Sequence, residues 1–108
     1  MAMRGYHAHI YFDRDELERA RAVAEAAQAA FGCPVGHFHL GPVGPHPRGS
    51  CQLSLDPGQF AKFAAWASEG RQGLTIFVHG LSGDDLADHT RYVIWFGNSE
   101  PLDLSMFG

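Results

Sequence analysis

Apolar residues in this chain recur first at every second position and then at every third or fourth, and the same switch happens again further along. Residues 6–12 alternate, with Tyr6, Ala8, Ile10 and Phe12 on one side and His7, His9 and Tyr11 on the other. That is the pattern of a strand with one buried face. Asp13 and Glu16 then stand at capping-box spacing, and Leu17, Ala20, Val23, Ala24, Ala27 and Phe31 follow at helical spacing until Gly32 and Pro34, which predicts a helix over 14–31. Residues 35–40 read as a short second strand, and the Gly- and Pro-rich stretch 41–49 as a loop. Cys51, Leu53 and Leu55 alternate as a third strand. Asp56 and Pro57 supply an N-cap and a first helical residue, and Phe60, Phe63, Ala64 and Ala67 form the buried stripe of a second helix that stops at Gly70. Leu74, Ile76 and Val78 alternate with Thr75, Phe77 and His79 as a fourth strand; after a polar segment, residues 92–96 read as a fifth, before a tail over 101–107.

Strand, helix, strand, strand, helix, strand is the βαββαβ order of a ferredoxin-like α+β sandwich. The expectation is one domain over residues 1–108, an antiparallel sheet with two helices on one face, and a C-terminal extra strand or tail. A chain of 108 residues is long enough for one core and too short for two. We take the strand order four-one-three-two, with strands one and three running parallel in the middle. The start of strand one then lies level with the ends of strands four and two, so His7, His79 and His39 meet on the open face. The loop carrying His46 leaves from the same end.

Neutral imidazole is the commonest side-chain ligand for transition metals, and it titrates near neutrality. Three or four such donors around an open position suit Fe(II), Zn(II), Cu(II) or Ni(II). His7, His39 and His79 are the expected ligands, with His9 or His46 as fourth ligand or as a base. His89, four residues after Asp85, is a second proton-transfer candidate or a cap of a helix end, and His37 reads as a surface residue. Tyr11 and Phe77 share the histidine face and offer flat walls for an aromatic substrate. Pro45, in the stiff loop that places His46, joins them as a substrate-binding candidate.

Twelve acidic against eight basic residues give a net charge of −4 without a basic run, the wrong balance for binding nucleic acid through its phosphates. The third strand, CQLSL, lacks the basic and aromatic pattern of an RNA-recognition module. No apolar stretch approaches bilayer-spanning length and the start has no signal-type apolar region, so the expected location is the cytoplasm, away from membranes. Cys33 and Cys51 lack CxxC spacing and read as buried reduced thiols.

The motifs His7-x-His9-x-Tyr11-Phe12, Gly36-x-Phe38-His39, Pro42-Val43-Gly44-Pro45-His46-Pro47, Val78-His79, Gly83-Asp84-Asp85-Leu86-x-Asp88-His89-Thr90 and Trp95-x-Gly97, in that order, resemble the DOPA 4,5-dioxygenase family of small aromatic ring-cleaving enzymes. The resemblance implies a ferredoxin-like fold, extradiol cleavage of a catechol by O2 at a non-haem metal, usually Fe(II), and often a dimer. Gly80-Leu81-Ser82 follows His79 where the family generally has a Pro-Asn-Thr-like stretch, a departure that bears on substrate choice. A homodimer is the expected assembly, the apolar tail 102–107 being suited to docking on a second subunit. The alternative on the same fold is a metal-binding carrier or sensor without catalysis.

Overall fold

The computed structural model describes residues 3–107. Strand β1 (Tyr6–Tyr11) leads through a short 3-10 turn into helix α1 (Leu17–Phe31); then come strand β2 (Ser50–Leu55), helix α2 (Phe60–Gly70), strand β3 (Ile76–Gly80), the single-turn helix α3 (Asp85–Asp88) and strand β4 (Val93–Phe96). Asp13 starts the first helical segment through its capping box with Glu16, whose Oε1 accepts the Asp13 N–H at 2.8 Å. Asp56 and Gln59 repeat the device ahead of α2. Gly32 ends α1 with φ of 64°, a left-handed conformation that costs glycine little, and its N–H caps the Gln28 carbonyl.

The four strands form one sheet in the order β2-β1-β3-β4, antiparallel throughout. Both helices cover one face. Ala8, Ile10, Leu53, Leu55, Ile76 and Val78 from the strands pack there against Ala20, Val23, Ala24 and Ala27 of α1 and against Phe63 and Ala67 of α2. The other face carries His7, His9, Phe77 and His79. The α+β ferredoxin-like expectation holds, and residues 93–96 are the added strand, on the outer side of β3.

Two expectations about the sheet need correction. Residues 35–40 are not a strand: only Val35, opposite Leu53, and His39, opposite Ser50, make bridges. Four steps along this segment span three along β2, an extra residue of the kind that makes a bulge and breaks the pleat's alternation. The strand over 50–55 was expected to run parallel to β1, yet it runs antiparallel, with Tyr6 opposite Leu55 and Tyr11 opposite Ser50. Chain direction forces this. A helical crossover returns the chain parallel to β1, and the tight reversal at 41–49 inverts it before β2. His39 therefore sits at the Tyr11 end of the sheet, remote from His7.

Cys33 and Cys51 are buried free thiols. No helix among the described residues is long and apolar enough to cross a membrane.

Candidate metal centre

His7 on β1 lies directly opposite His79 on β3. Opposed residues in an antiparallel ladder project their side chains from the same face, about 5 Å apart, so strand pairing alone sets these imidazoles together, with ring centroids 5.3 Å apart. His9, two residues further along β1, joins them diagonally, and its Nε2 is 3.1 Å from Nε2 of His79. One ring nitrogen from each of His7, His9 and His79 falls within 4.8 Å of the others.

The expected trio of His7, His39 and His79 is therefore not the one assembled; His9 takes the third place. His39 lines a neighbouring hollow of about 200 Å³ with His37 and Ser50, on the far side of His9, His46 and Gln52, which line both spaces.

A hydrogen-bonded turn from Val43 to His46 swings His46 over the sheet, its ring 4.1 Å from that of His9 and its Nδ1 2.8 Å from the Tyr11 hydroxyl. His89 arrives from the end of α3, donates from Nδ1 to the Asp85 carbonyl at 2.7 Å, and lays its ring 4.2 Å from that of His79. The buried Asp88 carboxylate holds the preceding loop by accepting from the backbone N–H and the hydroxyl of Ser82.

Burial controls the charge of this cluster. His9, His46 and His79 are each under a tenth exposed. Desolvation, reinforced by neighbouring imidazoles, holds His9 well below the usual histidine range and brings His46 and His79 down to about 4. His7 is lowered by the same cause, desolvation first. At neutral pH all four are uncharged, the state in which imidazole offers a lone pair to a metal. His79 Nδ1 donates to the Gly80 carbonyl at 3.0 Å, which fixes its tautomer and turns the lone pair of Nε2 toward Nε2 of His9. Two such nitrogens 3.1 Å apart need either a shared proton or a cation. The donor set therefore fits a divalent transition metal, without choosing among them.

The histidines open onto a pocket of about 280 Å³. Pro45 lines it, but Tyr11 and Phe77 do not: both are fully buried beneath the histidines. Tyr11 spends its hydroxyl on His46, and Phe77 is covered by Trp95 and His9. They form a floor under the site. Gln52 and Leu81 line the pocket without having been singled out from the sequence; Asp85, Met106 and Phe107 line it too. Gln52 faces His9 across the β1/β2 ladder and would have been found with the correct strand direction. The tail, suited by sequence to docking on another subunit, packs here on its own chain, where Phe107 stacks on His89 at 4.5 Å.

Fold and site together define a small α+β domain whose open sheet face carries a buried histidine cluster fit for a metal ion. The chain belongs to the Dopa 4,5-dioxygenase family, whose sequence profile matches residues 6–106. It is 30% identical over 109 residues to the DOPA 4,5-dioxygenase of Amanita muscaria, covering 93% of this chain and 48% of that protein. It is 32% identical over 113 residues to an uncharacterised 21.2 kDa protein of Botryotinia fuckeliana, covering 94% of this chain and 62% of that one. The chain thus spans about half to three-fifths of the length of these relatives. Among solved structures it is similar to a Nostoc punctiforme protein provisionally described as a dioxygenase, with a TM-score of 0.79 and 36% identity, covering 93% of this chain and 87% of that one.

Proposed function

We propose that this chain is an extradiol-type ring-cleaving dioxygenase that opens a catechol, DOPA or a related compound, with O2 at a divalent metal, Fe(II), held by His7, His9 and His79. The observation that carries this reading is the convergence of three neutral imidazoles from two paired strands at the base of an open pocket, in a chain of a dioxygenase family. Both atoms of O2 enter the product as one ring carbon–carbon bond breaks, so the reaction needs no separate reductant. A metal bound here supplies a Lewis-acidic template for the two catechol oxygens and for O2.

The chain's own groups do the rest. The Gly80 carbonyl orients His79. With Nδ1 donating to the Tyr11 hydroxyl oxygen, His46 keeps the lone pair of Nε2 for a proton leaving a catechol hydroxyl. His89, with Nδ1 tied to the Asp85 carbonyl, keeps Nε2 as a second proton-transfer atom across the pocket. Pro45 supplies a flat surface for an aromatic substrate. Nothing in this lining is a strong cation that would select a carboxylated substrate.

Anaerobic loading with Fe(II), followed by oxygen-electrode measurements on DOPA, caffeate, protocatechuate and homoprotocatechuate, tests the assignment. Equimolar uptake of O2 with a yellow semialdehyde product is expected for at least one of them. Stoichiometric metal binding with no oxygen uptake on any would refute the enzymatic reading and leave a metal-binding domain.

A further inference from the structure

Three rings stand in a row at one side of the histidine pocket: His79, His89 at 4.2 Å from it with 36° between planes, and Phe107 at 4.5 Å from His89 with 25° between planes. The Phe107 segment does not simply lie there. The backbone N–H of Asp103 donates to the Pro45 carbonyl at 2.9 Å, and Glu100 takes both Nε and Nη2 of Arg48, at 3.0 and 2.8 Å. Arg48 and Pro45 flank His46 in sequence, so the same loop that carries His46 also holds this segment down. A bidentate guanidinium–carboxylate pair fixes orientation as well as distance. Residues 105–107 close the segment with a 3-10 turn whose Phe107 and Met106 line the pocket.

Placement decides what this wall does. The pocket of about 280 Å³ is open to solvent, but Phe107 and Met106 form part of its lining, so a bulky substituent directed to that side of a ring bound over the histidines would meet the Phe107 ring.

We propose that Phe107, stacked on His89 and tethered through Asp103 and Glu100 to the His46 loop, is the specificity-determining residue that restricts the site to catechols bearing a short substituent. The inference rests on the catechol-binding reading above. Its removal admits catechols whose substituent carries a further ring, without disturbing the histidine cluster on β1 and β3.

Equilibrium binding to the Fe(II)-loaded protein under anaerobic conditions, followed by isothermal titration calorimetry, tests it with 4-methylcatechol as the short ligand and chlorogenate as the bulky one. The native protein is expected to prefer 4-methylcatechol by at least tenfold. Phe107→Ala should reduce that preference by about fivefold or more, mainly through tighter chlorogenate binding, with metal stoichiometry unchanged. Phe107→Trp should sharpen it, which separates a wall from a general loosening of the segment. Binding of both ligands with an unchanged ratio in Phe107→Ala would overturn the role of Phe107 alone. Failure of the native protein to bind either catechol would overturn the catechol reading and this inference with it.

Discussion

Replacing Asp88 by Ala removes the acceptor on which the loop between β3 and α3 depends. The carboxylate is 1% exposed and receives the Ser82 N–H at 3.1 Å on each oxygen, together with the Ser82 hydroxyl. A hydrogen bond to a charged group contributes about 1.5–3 kcal/mol. Two donors lose their partner, but Ser82 is only half-buried and water can reach part of what is vacated, so we expect a loss of about 2–3 kcal/mol. Asp88→Asn keeps one acceptor oxygen that can take both donors, as Oδ1 does here, and loses only the charge, so its cost should be smaller than that of the Ala variant. Urea denaturation of the metal-free protein gives both values from the shift in midpoint at constant slope. Amide hydrogen exchange at Ser82 should accelerate in the Ala variant well beyond the global effect, because the opening is local. His89 follows this loop, so proton transfer should suffer more than metal binding. A destabilisation under about 0.5 kcal/mol, typical of an ordinary surface change, would show that the Ser82–Asp88 contacts do not hold the loop.

The remaining predictions concern the histidines. His9→Ala and His79→Ala should each weaken metal binding by more than the roughly 10–100-fold that loss of a ligand's supporting partner costs, while His39→Ala should leave it unchanged; isothermal titration with Zn(II) measures all three, and a loss in His39→Ala with none in His9→Ala would restore the His7, His39, His79 set. In the metal-free protein, His46 and His79 titrate near 4 when folded against 6.5 when unfolded. The unfolded chain therefore binds more protons between those values, and stability should be constant above about pH 6.5 and fall as pH drops toward 4. Thermal melts across that range check the sign, and a Tm that rises on acidification would contradict the buried neutral cluster.

How much of this was legible beforehand depends on which physical signal each residue leaves. The capping pairs Asp13/Glu16 and Asp56/Gln59 bracket α1 and α2, and the alternation of Ala8 and Ile10 against His7 and His9 separates core from open face; both are local patterns that the chain carries in consecutive residues. Strand direction is not local. Periodicity reads the same forwards and backwards, so it assigned residues 50–55 to a strand beside β1 without revealing that they run antiparallel to it, and that one sign moved His39 from the far end of the sheet to the metal corner. The His7–His79 pairing survived because β3 lies antiparallel to β1 in either arrangement.

Tyr11 and Phe77 illustrate a second gap between sequence and site. Their alternation correctly puts them on the histidine face, but that face is deep: His46, brought by a nine-residue loop, and Trp95 on the added strand cover them, so the side chains that share a face with the ligands become the floor and the contact surface passes to residues above. Phe107 left no periodic trace, since a 3-10 turn after a proline-bearing segment has no face to repeat. Its position is set by two tertiary tethers, Glu100 to Arg48 and Asp103 to Pro45. Both tethers end on the loop that places His46, so any change in how that loop is held moves the proton-transfer group and the substrate wall together. Selection acting on substrate size in this fold would therefore be expected to work through residues after β4, where the wall can change while the β1/β3 ladder that aligns His7, His9 and His79 stays intact.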